Sequence, residues 1–596
     1  MKISRRAFVG NAGLAIAPAS QNRNPAIRQG LEAQALEPQA DFYLQLVKAN
    51  DLAVHSMLRE LANLANLPSN IRQLGANLQT LAAAFCAPES SHHRSGVLIE
   101  PMQQLSAILI NSQHPDGTID AGNLNSPPDT GFVLETVCAA LAVLKQLNDS
   151  RLSATKANLE KFVLAGGEAL VTGGVHTPNH RWVVSAALAR IHSLFPAQKY
   201  LKRIDDWLGE GIDIDADGQF SERSTGIYSR VIDNALITMA RLLPRPELLE
   251  PARRNLEMNV YYMHPDGEVE TIGSRRQDQN MVSHIANYYL EYRYLAIRDQ
   301  NPIFAAVTRF IEENQRNRNR IGEAYPLIYF LEEPLLRNAL PDGGSIPSSY
   351  AKLFAHSAMA RIRRGTTSAT VYGGSDWPLG VASGLASNPT FFTFRKGSAI
   401  LESARMGAAF FSEGAFHSEG LMRNSNVYVL QQCYEVPYYQ PLPPEKRNPR
   451  GDYQLTPAKD CRFWSKMDFP NRPMSNIQRL EQRISIVEDS GKFEISFDIF
   501  GHDRVPVAIE LTFRPGGKLE GVLMEMVKGR IYLLKEGTGR YIVGNDVIEF
   551  GPGEARHEWI NLSGASYLAH GATLRPNGCC VYITGFTPLR RTLTIA

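Results

Sequence analysis

From about Ala40 to Leu340 the apolar residues recur three and four positions apart, the period of a helix with one buried face. Asp41 to Leu64, Gly131 to Leu147, Trp182 to Leu194, Ile232 to Leu243 and Met281 to Ile297 are the clearest such segments. After Leu340-Pro341-Asp342-Gly343-Gly344-Ser345-Ile346-Pro347 the pattern changes to short runs rich in Val, Ile, Phe, Tyr and Thr, broken by Gly, Pro and Asn. Ala369 to Tyr372, Phe391 to Phe394, Val427 to Leu430, Phe493 to Phe497, Ala508 to Phe513 and Val581 to Thr584 are of this kind. Many short strands with no helices between them predict stacked antiparallel sheets. The fold class expected is therefore α+β, with a helical domain over 40–340 and an antiparallel β-sandwich over 350–596.

Three turns in the helical half resemble one another: His114-Pro115-Asp116-Gly117-Thr118-Ile119-Asp120, Asp215-Ala216-Asp217-Gly218-Gln219-Phe220 and His264-Pro265-Asp266-Gly267-Glu268-Val269. Their glycines stand 101 and 49 residues apart, and Gly173-Gly174 falls near the middle of the longer interval. A repeat of about fifty residues holds two helices, a turn and a return loop, which predicts stacked helical hairpins in an incomplete (α/α) toroid with loops on one rim. Function is expected on that rim. In the strand-rich half, Tyr438 to Arg472 is crowded with Pro, basic and aromatic residues and reads as a long functional loop.

Composition narrows the function classes. A chain of 596 residues is too long for one core. With 62 basic against 60 acidic side chains it has no global field of the sort that nucleic-acid or membrane-surface binders use, so attraction for a polyanion must be local. No stretch after the N-terminus reads as the ~18 apolar residues needed to span a bilayer. Ser4-Arg5-Arg6-Ala7-Phe8-Val9, the apolar Ala12 to Ala17 and the small residues through Ser20 form a twin-arginine export signal within 1–25, so a periplasmic or extracellular location is expected. The six cysteines show no CxxC spacing, against a zinc ribbon or thioredoxin-type site; Cys433 and Cys461 are either a disulfide pair or, like the others, buried thiols. No P-loop, GxSxG or HExxH is present, which removes the commonest nucleotide, esterase and zinc-protease readings.

The chemistry concentrates at Asn179-His180-Arg181, between a Gly-Pro turn and the apolar run that begins at Trp182. An amide and a guanidinium can neutralise a carboxylate while an imidazole moves a proton. The next loops add Glu222-Arg223-Ser224-Thr225-Gly226-Ile227-Tyr228 and Ser274-Arg275-Arg276-Gln277-Asp278. In a 4-linked uronic acid the C5 proton becomes removable once the adjacent carboxylate is neutralised, and a tyrosine can return a proton to the leaving oxygen. Each residue has a plainer role: Asn179 as an N-cap, Tyr228 packed on its helix, the arginines solvated or paired with Glu222 and Asp278. Asp213-Ile214-Asp215-Ala216-Asp217-Gly218 copies the start of an EF-hand loop, but Ser224 stands where the closing Glu belongs, and repeat-turn geometry explains it better. His92-His93 reads as an exposed pair. Phe463 and Trp464, beside Arg462 and Lys466, would either stack on a sugar or base or cover a core edge.

With a helical toroid followed by a sheet domain, Asn-His on one helical loop and Tyr 48 residues later, the chain resembles the heparinase II/III-like and alginate-lyase-type polysaccharide lyases. The resemblance implies Asn179 and His180 as carboxylate-neutralising and proton-moving groups, Tyr228 as acid and often base, and a second histidine from the sheet domain. The region that matches the relatives' histidine reads Ser383-Gly384-Leu385-Ala386-Ser387-Asn388 and lacks one, so His417 is the replacement expected and His356 the next. Arg181, Arg223, Arg275, Arg276 and Gln277 are expected to bind substrate. The expected activity is β-elimination on a uronic-acid polysaccharide or oligosaccharide, with no redox cofactor and no obligatory metal. Two other readings stay open: a glycoside hydrolase using carboxylates such as Asp217 and Glu222, and a non-catalytic binder of acidic glycans. The oligomeric state is not legible.

Overall fold

The structure, a computed structural model, describes residues 42–61, 70–317, 326–374, 376, 388–411, 414–459, 464–526, 531–560 and 578–596. The expected export signal, Cys461 of the possible disulfide, Arg462, Phe463 and residues 383–387 lie outside them. The chain forms two compact units. One comprises the described residues up to Ile214 with Tyr228–Glu257 and Ile285–Ile346; the other comprises Asp215–Ile227, Met258–His284 and Pro347–Ala596.

Among the described residues the helices are α1 (Phe42–Leu61), α2 (Ile71–Cys86), α3 (Ile99–Asn111), α4 (Pro127–Lys145), α5 (Ser153–Thr172) and α6 (Pro178–Leu194). They continue as α7 (Gln198–Leu208), α8 (Tyr228–Leu242), α9 (Leu249–Tyr262), α10 (Tyr289–Arg298), α11 (Pro302–Asn317) and α12 (Ile328–Glu332). α2, α4, α6, α8 and α10 pack side by side in succession, and α3, α5 and α7 form a second layer against them. This is the incomplete (α/α) toroid that the fifty-residue repeat predicts. The inner helices run in one sense. Gly131, in the second turn of α4, faces Val183, in the second turn of α6, so closely that a Cβ there would lie 3.2 Å from the valine methyl. Asn234 in the second turn of α8 reaches Glu135 in the third turn of α4 at 3.4 Å, and Arg230 and Glu291 pair at 3.4 Å between the first turns of α8 and α10.

Proline sets where two inner helices begin. Pro127 and Pro178 occupy the first helical turn, where no backbone N–H is needed and a fixed φ helps, and Ser126 caps α4 by accepting from the Asp129 amide. The helices accordingly start four residues before the apolar periodicity does. α10 instead starts eight residues after the expected Met281, because this stretch is used for loop contacts, among them a bridge between His284 and Glu268. α4 also corrects the reading that no later segment reaches membrane-spanning length and hydropathy: it does, but most of it is buried within the protein. A helix enclosed on nearly all sides becomes apolar all round for the same physical reason as one in lipid.

In the sheet unit, Ser349–Phe354, Met359–Arg364, Thr367–Tyr372, Phe392–Lys396 and Ala399–Ala408 are successive antiparallel neighbours in a ten-stranded sheet that continues through Pro506–Phe513 to Cys579–Phe586. An eight-stranded sheet is built on the long hairpin Val427–Tyr439 with Met474–Asp489, joined by Lys492–Phe500 and Leu589–Ile595. All six expected strands fall in these sheets. Buried residues alternate along Lys492–Phe500, and its Phe493, Ile495 and Phe497 meet Phe392, Phe394 and Leu401 of the other sheet in one core, making a sandwich. Among the described residues the pairing between strands is antiparallel apart from Ile531–Leu533, which lies parallel to Cys579–Phe586, and a single parallel bridge joins Ala555 to Thr584.

Two loops from the helical part of the sequence are bonded into this sheet unit. Glu270 accepts from Thr370 and pairs with Arg361 at 3.3 Å, and His264 meets Ser368 at 2.9 Å. Burial alone would raise the Glu270 carboxyl, but the His264 contact and the Arg361 charge hold it low; burial drives His264 well below its ordinary range. Glu268 adds pairs with Arg395 and Arg514, both at 2.8 Å. Spatial units therefore do not follow chain order here. The three similar turns share one hydrogen-bond pattern, with the first residue donating to the fifth carbonyl and the glycine N–H donating back to the first: His114/Thr118, Asp215/Gln219 and His264/Glu268. Their glycines have φ of 87°, 89° and 88°, the left-handed conformation that glycine adopts without strain.

Candidate functional site

Because the inner helices run in one sense, their N-terminal ends collect at one end of the helical unit. The partial positive charge of each helix start favours an anion there. Thr177 is the extended residue before α6, Pro178 is its first residue, and Asn179, His180 and Arg181 complete its first turn. Asn179 is thus inside the helix and not its cap, which removes the plainer reading of that residue. Its amide donates to the Thr177 hydroxyl at 3.2 Å. Asn179 and His180 are buried. The His180 ring meets His176 edge-on at 4.7 Å and Phe132 of α4 at 6.0 Å. The guanidinium of Arg72, at the start of α2, lies over the Phe132 ring at 4.5 Å and pairs with Asp129. Tyr228 is the first residue of α8, which packs against α6. Arg72, Phe132 and His176 were missed in the sequence because they lie outside the Asn-His and Tyr motifs; only the N-terminal position of Arg72 and Phe132 on periodic helices marks them.

The arginines have a different character. Arg181 pairs with Glu210 at 3.1 Å and Asp213 at 2.7 Å and lies over the Trp182 ring, whose N–H also donates to Asp213. In the sheet unit, Arg275 grips Asp376 with two hydrogen bonds of 2.5 and 2.8 Å, and Arg276 pairs with the buried Glu222. Arg223 donates to the His356 carbonyl at 2.8 Å. Gln277 follows Arg276 on the same loop. Asp278 is fully buried and accepts from Ser274, Ser224 and the Gly226 amide; burial raises its carboxyl and these donors only partly counter it. Three of the expected substrate-binding arginines thus already hold carboxylates of the protein.

The EF-hand look-alike resolves in the same way. Asp213 serves Arg181 and Trp182, Asp215 accepts from the amides of Asp217 and Gln219, and Asp217 accepts from the Ser357 amide. Among the described residues no three His, Cys, Asp or Glu converge to hold a metal ion. His417 lies just after the short strand Gly414–Ala415 of the sheet unit, buried, with its amide donating to Gln432 at 3.1 Å. His356 is exposed in the turn between the first two strands. Asn179, His180 and Tyr228 therefore belong to the helical unit, whereas Arg223, Arg275, Arg276, Gln277 and His417 belong to the sheet unit.

Further along the inner helices is a charged cluster that the periodicity hides. Arg190 grips Glu135 at 2.8 and 2.9 Å and reaches Glu332 at 2.5 Å, and Arg241 pairs with Glu332 at 3.1 Å. Asp233 is fully buried and its carboxyl oxygens make no hydrogen bond among the described residues; burial, reinforced by the negative charge of Glu291, raises its carboxyl well above the usual range. Glu291 is raised by burial too, with Arg230 opposing.

No protein-family model matches the chain, and no curated relative does. Solved structures do match. Heparinase III aligns over 87% of this chain and 75% of its own length, with a TM-score of 0.53 and 13% identity. A xanthan lyase from Paenibacillus aligns over 93% of this chain and 57% of its own length, with a TM-score of 0.55 and 9% identity. The chain thus has the fold of polysaccharide lyases, a helical toroid with an antiparallel sheet domain.

Proposed function

We propose that this protein is a glycan lyase that cleaves a uronic-acid-containing polysaccharide or oligosaccharide by β-elimination. The observation that carries the reading is the placement of Asn179 and His180 in the first turn of α6 and of Tyr228 at the first residue of the adjacent α8, where the inner helices all begin. The polysaccharide-lyase fold supports it. The Asn179 amide and the helix N-termini stabilise negative charge as it develops on the sugar carboxylate. His180 or Tyr228 removes the C5 proton, and the Tyr228 hydroxyl returns a proton to the departing glycosidic oxygen at C4. The electron pair of the C5–H bond becomes the C4–C5 double bond as the C4–O bond breaks, so no water is consumed.

The hydrolase reading has less support, since the Glu222 carboxylate is paired with Arg276 and Asp217 accepts from the Ser357 amide. Export to the periplasm or the outside, proposed from Arg5-Arg6 and the apolar run that follows, fits a polymeric substrate and is tested by fractionating cells that produce the full chain. The activity is tested by incubating purified protein with heparan sulfate, chondroitin sulfate, alginate and xanthan and following the ultraviolet absorbance of the unsaturated product. Absorbance is expected to rise with at least one of them. No rise across a wide panel of uronic-acid glycans contradicts the proposal.

A further inference from the structure

The long loop that follows Tyr438 is not used by the proposed chemistry. Its small ribbon pairs Trp464 with Pro457 and Ser465 with Thr456, and it is tied to the long hairpin of the eight-stranded sheet. The Phe469 amide donates to Thr456 at 3.1 Å, the Phe469 ring packs on Tyr439 at 4.7 Å, and the Lys459 amide donates to the Tyr439 hydroxyl at 2.7 Å. Tyr439 thus anchors the loop while its neighbour Tyr438 points outward. Trp464 is 60% exposed, Tyr438 55% and Ile477, on the facing strand, 47%. The alternative role for Trp464, covering a core edge, does not fit a ring this open to solvent.

Charge identifies the ligand. Between Tyr438 and Arg479 there are eight basic and four acidic side chains, a surplus of four in a chain whose total net charge is +2. Three of the bases, Lys446, Arg450 and Lys466, are exposed and form no ion pair among the described residues. Exposed aromatic rings and exposed cations on one stretch of chain suit a polymer with apolar sugar faces and regularly spaced carboxylates or sulfates. We propose that this end of the eight-stranded sheet is a surface site for acidic polysaccharide, with Trp464 and Tyr438 as stacking platforms and Lys446, Arg450 and Lys466 as counter-charges. The assignment rests on an acidic glycan as substrate, and its role is to hold the polymer near the enzyme without touching the reacting bond.

The test is native electrophoresis of the full-length protein through gels containing heparan sulfate, alginate or xanthan, with dextran as the neutral control and labelled single-stranded DNA as a competing polyanion. Protein carrying Tyr228→Phe is used, so that retention is read without turnover and survives or fails independently of the lyase reading. At least one acidic polysaccharide, and not dextran, is expected to retard it. Trp464→Ala is expected to weaken that affinity about fivefold or more, with Trp464→Phe retaining most of it. In the otherwise active enzyme Trp464→Ala is expected to raise KM for the polymer and leave kcat, and KM for a short oligosaccharide, unchanged. Retention unaffected by Trp464→Ala, or absent with all three polysaccharides, overturns the site. So does a preference for DNA, or a wild-type dimer in light scattering that Trp464→Ala converts to monomer, since the patch would then serve nucleic acid or a second copy.

Discussion

The helix starts of the toroid and the loops bonded into the sheet unit are built from the same kinds of residue, and both pair their arginines, but only the helix starts set an imidazole among rings at helix N-termini. In the loops nearly every charge is answered: Arg276 by Glu222, Arg275 by Asp376, Arg361 by Glu270, Asp278 by three donors. Such groups hold a shape. At the helix starts the His180 ring meets the rings of His176 and Phe132, in the same helical turn as the buried Asn179 amide, where the positive ends of several helices collect. A count of arginines points to the loops. The position of Asn179, His180 and Tyr228 at helix N-termini points to the helices.

The sharpest way to break this comparison is to remove one oxygen. Tyr228→Phe is expected to lower turnover at least a hundredfold while leaving substrate affinity nearly intact, since proton transfer contributes about 10²–10⁴. Turnover by initial rates and affinity by calorimetry separate the two. If Arg276→Ala gives the larger kinetic loss with stability unchanged, the roles assigned to the two regions are reversed. Instead, Arg276→Ala is expected to cost about 3 kcal/mol in denaturant unfolding, because the buried Glu222 loses the guanidinium it pairs with.

These contrasts also show where sequence reading succeeds. The change of period near Leu340, the Asp-Gly turns and the six strands were legible because each follows from local geometry. Asn179-His180 and Tyr228 stand out in the sequence by residue type and spacing, and Pro178 explains why Asn179 and His180 lie in the first turn of α6. The commitments of Arg181 and Arg275 were not, since Asp376 is 101 residues from its partner and Asp213 is 32 from its own. Nor was the membership of 215–227 and 258–284 in the sheet unit, which depends on pairs such as Arg514 with Glu268, 246 residues apart.

Smaller effects sharpen the picture of the toroid. Gly117→Ala is expected to lose about 1–3 kcal/mol, because φ is 87° and the new Cβ would lie 2.1 Å from the Ala165 carbonyl oxygen. Denaturant titration measures it. Asp233→Asn should act in the other direction. A carboxyl raised by burial gives stability that is fully present below its unfolded pKa of about 4 and is lost as pH rises toward the folded value. The asparagine variant should therefore melt higher than wild type at neutral and alkaline pH and show a flatter pH profile; equal profiles from pH 4 to 9 would mean that Asp233 is not a buried acid of this kind.

The most direct test of the central claim is the mass of the product formed in water enriched in oxygen-18. Elimination predicts a new end that is unsaturated, with no heavy oxygen incorporated and absorbance rising in step with cleavage. A product that carries oxygen-18 and lacks the double bond would show hydrolysis and contradict the account.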